Sequence, residues 1–135
     1  MPNNPVYISY SFAGPSTTNS LGKAFFEVVM TPEAIAGHRI LCSPQVATST
    51  MPEVFWKAGP QRVQQAFTEL LERRIAAGDL DIDDVERAAA QFFTLLKGEA
   101  HAKAVFGYCG GRRQETPDEH VDAVVELFLR AYARR

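Results

Sequence analysis

Beyond Leu21 the apolar positions of this chain recur with the period of a helix. From Val63 the apolar residues are Phe67, Leu70, Leu71 and Ile75, while Gln64, Gln65, Thr68, Glu69, Glu72 and Arg73 fill the other side. That spacing predicts a long helix with one buried face. Just before it, Pro60 offers no backbone N–H and Gly59 has no preference for staying helical, so the path should break there and leave a separate short helix carrying Phe55 and Trp56. Helix starts are readable at Thr31-Pro32-Glu33, at Thr50 with Glu53, at Asp83 with Glu86, and at Thr116 with Pro117 and Glu119. Each supplies a capping oxygen followed by an acid or proline in the first turn. The helices so predicted cover about 20–30, 32–43, 51–58, 60–77, 84–106 and 117–134. Nothing between them reads as a strand. The fold class expected is all-α, a single antiparallel helical bundle of about six helices.

Residues 1–19 follow a different rule, crowded with Pro, Asn, Ser and Thr around the run Val6 to Phe12. Alternation there suggests a strand, but one strand without a partner cannot stand alone. An irregular arm over 1–19 and a helical domain over 20–135 are therefore expected.

The last predicted helix has a narrow polar stripe of Asp122, Glu126, Arg130 and Arg134, and is otherwise apolar from Val121 to Ala133. A surface helix of a monomer usually gives water a wider face, so a second buried side is expected. In the preceding helix Ala88, Ala89 and Ala90 permit close approach, and Phe92, Phe93, Leu95 and Leu96 point in two directions. The pattern predicts a homodimer through the last two helices, with Ala89, Phe93, Val121, Val124, Val125, Phe128 and Tyr132 at the interface. The alternative is a helix at the centre of a larger monomeric core.

Composition narrows the function classes. A chain of 135 residues with 46% hydrophobic and 22% charged residues is one globular domain's worth. Its net charge of -2 argues against a surface that neutralises phosphates, so no direct nucleic-acid binding by this chain is expected. No apolar run is long enough to span a membrane and no signal-peptide plan opens the chain, which makes the cytoplasm the expected compartment. Cys42 and Cys109 then read as free thiols.

Most chemical motifs fail on inspection. The acidic run Asp79 to Asp84 has Asp84 where a calcium loop needs glycine and Ala90 where it needs glutamate. Gly14 to Lys23 has glycines too far apart for a phosphate loop, and Ala24 stands where the hydroxyl belongs. The segment Cys109 to Arg113 is a basic connector that could hold an anion but needs no such role. The three histidines, His38, His101 and His120, form no zinc pattern with the cysteines, and no nucleophile turn occurs. No catalytic residue, metal or cofactor is expected.

The stretch from Pro52 to Leu80, with its aromatic short helix, Gly59-Pro60 hinge, long amphipathic helix and closing Gly78-Asp79-Leu80, resembles the effector-binding half of TetR-family transcriptional regulators of the AefR-like type. The resemblance runs from near Leu21 to Arg135. It implies a ligand cavity enclosed by the helices bearing Phe26, Met30, Cys42, Phe55, Trp56, Phe67, Phe92 and Leu96, filled by a small apolar or aromatic effector, with polarity from Cys42, Trp56 or His101. It also implies a four-helix bundle across a two-fold axis. The three-helix DNA-reading domain of such regulators has no counterpart in these residues, so the chain is expected to be an effector-binding and dimerisation domain, as a fragment or as a headless protein. The competing function is a stand-alone helical small-molecule carrier or small enzyme on the same fold.

Overall fold

The computed structural model describes residues 15–108 and 115–134, with side chains from Thr18 onward. Seven helical segments follow in order: α1 (Pro15–Val29), α2 (Pro32–Leu41), α3 (Pro44–Ala47), α4 (Met51–Ala58), α5 (Pro60–Ala76), α6 (Val85–Phe106) and α7 (Pro117–Tyr132). Six of them have eight residues or more, and no strand occurs among the described residues. The all-α class and the Gly59-Pro60 break are as expected.

Two boundaries move. α1 begins at Pro15, so the residues from Pro15 to Asn19 belong to a helix and not to an irregular arm; the run Val6 to Phe12 lies outside the described residues. The short turn α3 was also unforeseen, because Pro44 sets up a helical start that runs only to Ala47.

The caps explain most of the helix starts. Thr31 Oγ1 accepts from the Ala34 amide at 3.2 Å. Thr116 and Glu119 complete a reciprocal box, the hydroxyl accepting from Glu119 N at 3.1 Å and the carboxylate from Thr116 N at 2.9 Å. At α6 the cap is Asp84 and not Asp83, with Asp84 Oδ1 accepting from Arg87 N at 3.0 Å. Thr50 makes no side-chain cap; Ser49 Oγ accepts from Met51 N at 3.1 Å instead.

α6 and α7 form the centre, with α1 laid against both and α5 against α6. The core they enclose is aromatic. Phe67 stacks on Phe92 with ring centroids 4.7 Å apart, Phe92 meets Phe128 edge-on at 5.1 Å, and Phe25 leans on Phe93 at 4.8 Å. Phe92, Leu96, Val121 and Val125 are completely enclosed, each such side chain contributing about 1.5–3 kcal/mol of burial. α1 can lie this close because Gly22 has no side chain: a Cβ there would stand 2.9 Å from Val121 Cγ1 and 3.3 Å from Leu96 Cδ2. Asn19 Nδ2 on α1 donates to Asp122 Oδ1 on α7.

The connector between α5 and α6 is tied to the end of α7. Leu80 forms an antiparallel bridge with Ala133, Asp81 N donates to Tyr132 O at 2.8 Å, and Arg134 N donates to Asp79 O at 3.0 Å. Arg74 Nη1 pairs with Asp79 Oδ2 at 3.0 Å and holds the same corner to α5.

Candidate effector site and pairing face

α6 is not one straight rod. Gly98 sits inside it at φ 56°, ψ -162°, a region open in practice only to glycine. The break leaves backbone groups in need of partners. His120 Nε2, reaching from α7, donates to the Leu96 carbonyl at 2.6 Å, which places the ring proton on that nitrogen. The same imidazole lies 5.1 Å from the Phe26 ring and presents Nδ1 to Glu115 Oε1 at 3.8 Å. One side chain thus joins α1, α6 and α7 at the kink.

Beyond the kink, the second half of α6 packs on α2. Arg39 donates from Nε to Val105 O at 2.8 Å and from Nη2 to Ala104 O at 2.7 Å, satisfying terminal carbonyls of α6. His38 of α2 meets His101 of α6 edge to face, centroids 5.0 Å apart. Burial holds both imidazoles below their ordinary pKa, and the positive charge of Lys97 adds to it; for His101 the neighbouring His38 adds further. His38 and Cys42 are one helical turn apart, yet among the described residues no three metal-ligating side chains gather.

The residues expected around an effector are only partly together. Phe26, Phe67, Phe92 and Leu96 belong to one core cluster, with Met30 packed at its margin. The contact between Phe67 and Phe92 fills the space that a ligand would need between them. Cys42 is exposed at the end of α2. Phe55 and Trp56 are 50% and 48% exposed, because α4 has no buried residue and, among the described residues, packs mainly on its sequence neighbours α3 and α5. The sequence marked α4 as an aromatic-rich short helix, and among the described residues its aromatic groups stand exposed.

The expected pairing residues also sit elsewhere than on a free face. Ala89, Phe93, Val121, Val124, Val125 and Phe128 are buried inside the chain's own core, and Tyr132 is packed against it. α1 and α6 already cover that side of α7, so these side chains have little area left to offer a partner. The exposed apolar residues of these helices are different ones: Leu127 on α7, 56% exposed, between exposed Ala123 and Ala131, Leu95 on α6, 42% exposed, and Phe106 at the far end of α6. Sequence inspection did not single out Leu127 and Leu95 as the exposed groups of these helices. Their signal was phase, since each lies off the angle of Val121, Val125 and Phe128 or of Phe92 and Leu96 on its own helix.

Two open clefts occur among the described residues, outside the aromatic core. One of about 640 Å³ runs between α1 and α7, lined by Asn19, Asp122, Glu126 and Arg130 over Val125, Leu129 and Ala133. A second, of about 360 Å³, lies where the acidic connector meets Tyr132. No described helix is long and apolar enough to cross a membrane.

This arrangement is shared with known structures. A TetR-family transcriptional regulator from Mesorhizobium loti MAFF303099 matches with a TM-score of 0.77 at 18% identity, over 93% of this chain and 64% of that one. A TetR transcriptional regulator from Agrobacterium tumefaciens matches with a TM-score of 0.73 at 18% identity, over 94% of this chain and 63% of that one. The flavonoid-responsive regulator FrrA matches with a TM-score of 0.61 at 23% identity, over 90% of this chain and 76% of that one. The chain thus spans a little under two thirds of the length of the first two. No curated protein matches it. The family description that fits the sequence is the C-terminal domain of AefR-like transcriptional repressors, which matches residues 18–134. With that match over nearly its whole length and the helical arrangement of TetR-family regulators, the chain belongs to the AefR-like transcriptional repressor C-terminal domain family.

Proposed function

We propose that this domain senses a small aromatic or apolar effector and pairs with a second copy of itself, transmitting occupancy through its helices. The observation that carries the sensing half is α4. An amphipathic helix with Met51, Val54, Phe55 and Trp56 exposed, resting mainly on its sequence neighbours among the described residues, stores apolar area that a ligand can cover. Closure of α4 toward α2 and the second half of α6, where Ile40 and Phe106 are also exposed, forms the site around the compound. The Phe67–Phe92 stack is its floor and not its interior.

Coupling runs through the kink. Effector that favours one setting of the second half of α6 acts on Gly98, and through His120 on α7 and through Phe26 on α1. Pairing uses the exposed strip around Leu95 and Leu127. No nucleic-acid contact is assigned to this domain, whose charge is -2.

Trp56 is the chain's single tryptophan and reports directly on α4. Because one structural neighbour is named for its response to flavonoids, naringenin and 2-naphthol are suitable first probes. Concentration-dependent change in Trp56 emission together with a rise in melting temperature supports the reading. An aromatic and fatty-acid panel that moves neither signal overturns it.

A further inference from the structure

His101 is the most enclosed of the ionisable side chains, 7% exposed, and it has no hydrogen-bond partner among the described residues. Its neighbour in ring contact is half-buried His38. Lys97 lies one helical turn before His101 across the Gly98 break, half-buried itself. The nearby Arg39 guanidinium is committed to the carbonyls of Ala104 and Val105.

We infer that His38, His101 and Lys97 form a subsite for an anionic oxygen, so that the effector is an aromatic acid held by its ring under α4 and by its acid group at the kinked end of α6. The inference rests on the effector reading above. The geometry gives the reasons. Two imidazoles from different helices, edge to face at 5.0 Å, can each turn an N–H toward one oxygen entering from the side on which His38 is open. The ammonium supplies the charge, and hydrogen bonds to a charged acceptor are roughly twice as strong as neutral ones. A metal ion is the competing occupant of any histidine pair. Here Lys97 makes the local potential positive, opposing a cation, and no third ligating side chain stands near among the described residues. Burial is the larger cause of the lowered pKa of both imidazoles, and the Lys97 charge that adds to it also favours an anion.

The test compares 2-naphthoate with its neutral isostere 2-naphthamide on the full chain, by Trp56 emission and calorimetry. The wild type should bind the acid about tenfold more tightly than the amide, as expected for one charge-assisted contact. Lys97→Gln and His38→Gln should weaken binding of the acid more than that of the amide and so bring the two affinities together. Both side chains are half-buried, so these variants keep the test valid should the more enclosed His101→Gln fail to fold. Equal affinities in the wild type, or an unchanged preference in both variants, overturn the subsite and leave the effector reading intact. Binding of neither probe, nor of any member of the wider aromatic panel, overturns both. Zinc binding by the wild type with no preference for the acid overturns the subsite in favour of a metal.

Discussion

His120 donates its Nε2 proton to the carbonyl oxygen of Leu96 at 2.6 Å, across two helices and beside a glycine held at φ 56°. The kink is therefore held from outside the helix that contains it. Gly98→Ala places a Cβ 3.1 Å from His120 Cε1 and forces alanine into a glycine-only conformation, so a loss of about 1–3 kcal/mol is expected. His120→Ala leaves the Leu96 carbonyl without this donor and should cost about 1–3 kcal/mol. Urea denaturation of the two single variants and the double variant measures both. The double variant should lose less than the sum, since the two changes disable one latch.

Gly22 makes a separate prediction about packing. Gly22→Ala puts a methyl 2.9 Å from Val121 Cγ1, where Leu96 blocks the other side at 3.3 Å. A helix-interior Gly→Ala change would otherwise gain up to about 1 kcal/mol from propensity. Overpacking should outweigh that gain and give a net loss of about 1–2 kcal/mol. A melting temperature at or above that of the wild type would show that α1 can shift away without cost.

Pairing through the exposed strip is tested at Leu127. Leu127→Glu introduces charge at a position 56% exposed in the single chain, so the fold should survive with stability changed by less than about 0.5 kcal/mol. On the proposed pairing, light scattering should give a dimer for the wild type and a monomer for this variant. Val125→Glu gives the contrast: at 1% exposure it buries an unpaired carboxylate and should unfold the chain. A Leu127→Glu protein that remains dimeric moves the interface off this strip.

Acid sensitivity follows from the two imidazoles of the subsite. The pKa values of His38 and His101 are lowered in the fold from the ordinary 6.5. The unfolded chain therefore takes up protons more readily than the folded one, and stability present above 6.5 is lost as pH falls through that value toward the lower folded ones. The melting temperature should drop between about pH 7.5 and pH 5.5, and His38→Gln should flatten that part of the profile. Lys97→Gln should also reduce the drop, since its charge contributes to both shifts.

Helix identities were legible because burial in a bundle repeats at the helical period. Phe67 and Leu71, Phe92 and Leu96, and Val121, Val125 and Phe128 are core residues by spacing and by structure. What spacing cannot give is which neighbour covers each face. The apolar breadth of α7 reads equally as a core helix or as a paired one, and Gly22 on α1 decides the matter locally by letting that helix seal the Val121 side. The aromatic side of α4 posed the reverse problem, since Phe55 and Trp56 have the pattern of buried residues without the burial. The kink at Gly98 left no periodic trace, as a single glycine in an otherwise helical run is ordinary until its partner, His120, is placed beside it.

The bridge between Leu80 and Ala133, with Asp81 bonded to Tyr132 and Arg134 to Asp79, locks the entrance of α6 to the exit of α7. The two helices that would meet a second copy are thereby stitched into one preorganised unit. Association then has mainly side chains to order, at about 0.5–1.5 kcal/mol each, rather than helices to align. Residues outside any helix thus hold α6 to α7, and trimming the chain before Ala133 should loosen that pair of helices before it disturbs the aromatic core.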